Sequence, residues 1–322
     1  MNPIFSRTLK AMCAVAAAAL LSACGGASST VDPFVATRVI AFGDGFNFVD
    51  ASGYGLSTVQ TSETNNTLAG RIAERYGIVV KDAATVAGGL VSTGGFSYAT
   101  ANATVSDVAT QINTFLTATG GVVAKKDLII IAVGNWDIKA AAAANNTAAI
   151  NTATTALVTA VQRLTTAGAE HVVVIPSINM ARTPWATGSN ISRTTIQNLS
   201  NTATTSFNFS VNTKLGDAYR QDRKPVLLLD PTADFNTFAG SVDVNGNAVS
   251  NFSGITLNNL STAVCTSPGN WAGCTLANLV GGSSSVAYQT AVFADDINLT
   301  PVINRLLADR MLFIMRNIGW AP

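Results

Sequence analysis

Arg38-Val-Ile-Ala-Phe-Gly-Asp-Gly45 and Asp127-Leu-Ile-Ile-Ile-Ala-Val-Gly-Asn-Trp-Asp137 decide the fold. Each is an apolar run that stops at a glycine and then turns polar. A strand with one wet face must alternate apolar and polar residues, whereas a strand covered on both faces need not. Gly77-Ile-Val-Val80, His171-Val-Val-Val-Ile-Pro176 and Pro225-Val-Leu-Leu-Leu-Asp230 have the same character. Together these runs predict a central, mainly parallel five-stranded sheet buried between layers.

The segments between the runs supply the layers. Leu157, Val161 and Leu164 share one helical face, and Gly168 is placed to end that helix. Residues 65–76 and 107–118 are shorter helix candidates. Thr300 suits the cap of a last helix and Pro301 its first turn, with Ile303, Leu307 and Ile314 on its apolar face. Alternating strands and helices predict an α/β fold, a single three-layer α/β/α domain of flavodoxin-like type over residues 38–322. Residues 232–292 break the alternation, are rich in Asn, Ser and Gly, and read as one long loop.

The chain has 322 residues, a formal net charge of +1 and only 11% charged residues, so no basic stripe exists to follow a phosphate backbone. Nucleic acid is excluded as an expected partner. Arg7 and Lys10 precede the apolar stretch Ala11–Leu21, which has the length of a signal-peptide core and is too short to span a bilayer. Leu21-Ser22-Ala23-Cys24 follows and resembles the bacterial lipobox. That resemblance implies a lipoprotein signal peptide over residues 1–23, a lipid anchor on Cys24 and a tether over 24–37. An ordinary secretory signal with Cys24 incidental is the alternative. Gly25, not aspartate, follows the cysteine, which points to an outer-membrane protein facing periplasm or exterior. In that oxidising compartment Cys265 and Cys274 are a candidate disulfide. No Cys-x-x-Cys pair or histidine cluster suggests a metal, and no cofactor is expected.

The order of short blocks carries a family resemblance. Phe42-Gly43-Asp44-Gly45 is similar to a Phe-Gly-Asp-Ser block. Gly94-Gly95-Phe96-Ser97-Tyr98-Ala99 is similar to Gly-Gly-x-Asn-Tyr-Ala, and Gly134-Asn135-Trp136-Asp137 stands in the place of Gly-x-Asn-Asp. Ala167-Gly168-Ala169-Glu170-His171 resembles Gly-Ala-Arg-His. Val292-Phe293-Ala294-Asp295-Asp296-Ile297-Asn298-Leu299-Thr300 resembles Phe-Trp-Asp-x-x-His-Pro-Thr. In this order, from about residue 38 to the C-terminus, the chain resembles the GDSL/SGNH hydrolases, serine ester hydrolases of the lipase and acylhydrolase type.

The resemblance implies a site, and the residues at its positions imply a disarmed one. Gly45 stands at the nucleophilic serine and Asn298 at the histidine. An amide takes up no proton near neutral pH, so Asn298 is no general base. By register Ala101 stands at the oxyanion glycine and Trp136 at the oxyanion asparagine, with Asn135 one place early. Asp295 is the retained family acid. Asp44, Gly134, Asp137 and Asp296 are its neighbours. The chain's one histidine, His171, opens a strand and is expected at the opposite edge of the sheet from the site. Trp136 can stack on a sugar or an acyl chain, or plug the vacated site. The expectation is therefore a pseudoenzyme that binds an acyl or glycan ligand or serves as a scaffold for an envelope protein, attached to the membrane through Cys24. The alternative is an active esterase with a rearranged site, using a serine such as Ser92 or Ser97.

Overall fold

The computed structural model describes residues 34–56, 65–86, 92–216, 224–240, 250–252, 254–265, 274, 278–280 and 287–322. The signal-peptide segment, Cys24 and most of the tether lie outside the described residues. Six strands form one sheet: β1 (Arg38–Gly43), β2 (Val80–Asp82), β3 (Gly94–Ser97), β4 (Asp127–Ala132), β5 (Val172–Ile175) and β6 (Val226–Leu228). They lie in the order β2-β3-β1-β4-β5-β6, and every pairing is parallel. β1, β4 and β5 are buried at every residue, as their unbroken apolar runs require.

The sheet thus has one strand more than the five expected. β3 escapes the sequence pattern because two of its four residues are glycines, which carry no strand propensity. Gly95 is there for close approach: a Cβ on it would sit 2.7 Å from the Val79 carbonyl oxygen. The outer strand begins at Val80, at the end of the run read as 77–80.

The helices sort into two groups that make the outer layers. α1 (Leu68–Glu74) packs on the last helix, α9 (Pro301–Asn317). In the other group α2 (Val105–Ala118), α4 (Ala148–Thr166) and α6 (Arg193–Ser210) pack side by side, with α3 (Asn135–Ala143) against α4 and α6. Leu157, Val161 and Leu164 are buried along α4 as their spacing predicts. Thr300 is the N-cap residue of α9 and Pro301 its first, yet the Thr300 hydroxyl donates to the Ala291 carbonyl at 2.6 Å and does not cap the helix. α5 (Pro184–Gly188) is a short helix that Thr183 caps through its side chain.

Two boundaries move. Residues 34–37 belong to the folded body, because the Phe34 amide donates to the Gly319 carbonyl and its ring stacks on His171. The stretch 232–292 is no single loop. It holds α7 (Thr232–Gly240), an antiparallel hairpin of β7 (Ser250–Phe252) and β8 (Ile255–Leu257), and the short α8 (Ala287–Thr290). Asp230 accepts the Thr232 amide at the head of α7, and Phe235 and Phe238, three residues apart, are both fully buried. Those two rings turn an otherwise polar segment into an anchored helix. Within the stretch 232–292 the Cys265 and Cys274 sulfurs meet at bonding distance, with Cα atoms 5.3 Å apart.

Candidate active site

The carboxyl ends of β1 and β4 lie level, Gly43 opposite Ala132. Gly43 has φ +123°, a conformation that favours glycine, and a Cβ there would collide with the Ala132 carbonyl. The chain can then turn, and the Asp44 amide donates to that carbonyl at 2.9 Å. Gln111 on α2 closes the same turn from the side. Its side-chain oxygen accepts the Gly43 amide at 2.7 Å, and its Nε2 donates to the Gly43 carbonyl at 3.0 Å. Asn47 pins the loop from beneath, donating to the Phe42 and Ile130 carbonyls and accepting the Ala69 amide. Neither role was assigned from sequence, although Gln111 lies inside the helix candidate 107–118.

The loop before α9 brings the remaining residues to this turn. Phe293 pairs with Leu299, and the Ala294 amide donates to the Asn298 carbonyl, which folds residues 294–298 into a tight loop. Asp295 organises it. One carboxylate oxygen accepts the amides of Ile297 and Asn298 at 2.8 and 2.7 Å, and the other accepts Asn298 Nδ2 at 2.8 Å. Asn298 therefore gives the acid the hydrogen bond that an imidazole N–H would give. Its Oδ1 is turned toward Gly45, so close that a Cβ built on residue 45 would overlap it. Leu56 Cδ1 stands 2.9 Å from the same point. Gly45, Asp295 and Asn298 come together, and the space that a side chain on residue 45 would need is already filled.

The other positions are brought to the same edge, but several are tied into structure. The Asn135 amide is buried, donates to Asp44 Oδ2 at 3.2 Å and accepts the Ile178 amide at 3.2 Å. It crosslinks three loops and is not presented to a ligand. Gly134 is the N-cap of α3. Asp137 accepts the Val105 amide at the head of α2, so it joins α3 to α2. Ala101 sits in the turn after β3, where Thr100 donates to the Gly43 carbonyl. Ser97 is buried, donates to the Asn47 carbonyl at 2.7 Å and accepts the Ala99 amide, which fixes its hydroxyl as a structural group. Ser92 is exposed.

Trp136 is not among the atoms nearest the residue-45 side-chain position. It is half-buried on α3, with Lys139 Nζ 4.2 Å from its ring centre; the same ammonium lies 5.8 Å from Trp185 on α5. The atoms nearest that position are those of Asn298 and Leu56, and the indoles of Trp136 and Trp185 share Lys139. Asp296 adjoins them: the Trp185 amide donates to its carbonyl at 3.0 Å. Partial burial lowers the Lys139 pKa against the pull of Asp296 and Asp295, and it raises that of Asp296, with Asp295 adding to the rise and Lys139 opposing it. Lys139 and Trp185 were missed in the sequence because no block of the family order contains them.

Burial also decides the acids beneath. Asp44 is driven up to about 7 by desolvation, the Phe46 amide and Asn135 opposing and Asp137 adding to the rise. Asp137 rises to about 6, again mainly by desolvation. His171 lies at the other edge of the sheet, just before β5, between the Phe34 ring at 3.6 Å and Trp320 at 4.9 Å. Desolvation lowers its pKa. It cannot serve the site. Among the described residues no group of three His, Cys, Asp or Glu side chains could hold a metal ion.

No family model and no curated protein matches the chain. Solved structures do. A member of the lipolytic G-D-S-L family from Veillonella parvula is 12% identical with a TM-score of 0.43, over 87% of this chain and 98% of that one. An extracellular lipase from Streptomyces rimosus is 19% identical with a TM-score of 0.36, over 63% and 83%. A possible lipase from Chitinophaga pinensis is 13% identical with a TM-score of 0.41, over 88% and 99%.

Proposed function

We propose that the chain is a cell-envelope lipoprotein on an SGNH/GDSL hydrolase frame whose site binds and does not cleave. One observation carries the reading. Asn298 holds Asp295 as an imidazole would, while its Oδ1 fills the space that a side chain on residue 45 would need. A serine mechanism needs a hydroxyl and a base at these two positions, and both are absent. Losing either typically costs about 10⁴–10⁶ in rate. The rim supports ligand binding: two half-buried indoles with an ammonium and a carboxylate beside them suit a sugar or an acyl ligand held by its headgroup. An envelope protein partner belongs to the same proposal. Attachment through Cys24 and a Cys265–Cys274 disulfide complete it, in an outer-membrane protein facing periplasm or exterior.

The second reading is an ester hydrolase with a rerouted serine, favoured by the intact block order. Ser97 is fixed by its hydrogen bonds, which leaves the exposed Ser92. A fluorophosphonate probe separates the two. The purified protein is expected to stay unlabelled, and labelling that disappears in Ser92→Ala would establish the second reading.

A further inference from the structure

Trp136 and Lys139 stand three residues apart on α3, so they share one face of the helix, and Lys139 Nζ lies 4.2 Å from the Trp136 ring centre. Trp185 on α5 borders the same ammonium at 5.8 Å. The Asp295 loop adds Asp296, which is tied to α5 because the Trp185 amide donates to its carbonyl at 3.0 Å. Three separate elements thus bring two indoles, an ammonium and a carboxylate to one patch, and all four residues are half-buried. The two charges act on each other, yet among the described residues no ion pair joins them. Nor, among the described residues, does the Lys139 ammonium or the Asp296 carboxylate take part in a hydrogen bond. Asp295 differs, because both of its oxygens are already used by Ile297 and Asn298.

The patch therefore offers ammonium donors and carboxylate acceptors beside aromatic surface. An acyl chain would satisfy neither polar group and would strip water from both. A carboxylate would suit Lys139 but meet Asp296 and Asp295, and an ammonium would suit Asp296 but meet Lys139. A vicinal diol does both at once: one hydroxyl oxygen accepts from Lys139 while the neighbouring hydroxyl donates to Asp296. A pyranose ring carries such diols around an apolar C–H face that can pack on an indole. We propose, on the reading of this edge as a binding surface, that the patch takes a neutral saccharide, its C–H face against the indoles and adjacent hydroxyls bonded to Lys139 and Asp296.

The test is titration calorimetry of the full folded chain with cellotriose, maltotriose and triacetylchitotriose, beside octanoate and alanine as acyl and zwitterionic probes. At least one trisaccharide is expected to bind with a Kd of about 1 mM or below and to shift the tryptophan fluorescence. Lys139→Met, which keeps an unbranched apolar stem and removes the donors, is expected to weaken that binding by about tenfold or more while the protein still melts as a folded one. Asp296→Asn, which keeps an acceptor oxygen, is expected to weaken it less than Asp296→Ala. The proposal is overturned if no trisaccharide binds below about 10 mM, or if Lys139→Met binds as tightly as the parent. Binding of octanoate or alanine in place of every saccharide overturns it and leaves the edge a binding surface, whereas labelling by the fluorophosphonate probe overturns that reading of the edge as well.

Discussion

Asn298 Oδ1 lies where a side chain on residue 45 would have to begin, and Asp295 holds it there. Gly45→Ser alone therefore forces a buried hydrogen-bonded amide to move. It is expected to cost about 1–3 kcal/mol, read as a lower Tm, and to give no activity. Gly45→Ser with Asn298→His removes the amide and supplies both missing groups. That pair is expected to gain measurable hydrolysis of 4-nitrophenyl acetate over either single variant, and a folded but inert double variant would show that Leu56 and Ala101 close the site too. Asp44 belongs to this scale as well. The folded chain keeps it protonated up to about pH 7, whereas the unfolded chain ionises it near pH 4. The native state binds the extra proton, so this group's contribution to stability is fully present below about pH 4 and is lost as pH rises toward 7. Asp137 acts in the same sense up to about 6. Denaturant melts across pH 4–8 should show a flatter profile for Asp44→Asn than for the parent; an unchanged slope would refute the assignment. That Gly45, Asp295 and Asn298 gather at one place was legible in the order of the blocks. The contributions of Leu56 beside residue 45 and of Gln111 at the Gly43 turn were not, since both arrive through tertiary packing that no local motif encodes.

The strands were readable where every residue is buried, as in β1, β4 and β5, and unreadable where glycine replaces apolar bulk, as in β3. α7 was hidden for the converse reason: two phenylalanines in a polar segment look like isolated residues until the fold buries both. Phe235 meets Phe293 edge-on at 5.9 Å, so α7 braces the segment that leads into the Asp295 loop. Phe235→Ala is expected to cost about 3–5 kcal/mol in chemical denaturation. A loss below about 1 kcal/mol would mean that α7 is no anchored part of the body. At the other edge of the sheet Arg38 and Asp127 form a buried bidentate pair at 2.8 and 2.5 Å, linking the first residues of β1 and β4. Nothing in the apolar runs foretold that pairing, which depends on the strand register alone.

At the scale of the whole molecule, the sheet edge, the Asp44 turn and the Asp295 loop converge, with Gln111, Asn47 and Asn135 tying the turn to its surroundings. In the proposed function this edge is a binding surface, and the proposed anchor would hold it at a membrane. Cys24→Ala in the full-length chain is expected to move the protein from the membrane fraction to the soluble one; unchanged fractionation would refute the anchor. The central claim is tested most directly by steady-state hydrolysis of 4-nitrophenyl butyrate by the purified protein beside its Asp295→Ala variant. The account predicts that both rates stay at the background of a protein without a site. A parent rate ten or more times that of Asp295→Ala, on the order of 1.4 kcal/mol of transition-state stabilisation through that carboxylate, would contradict it.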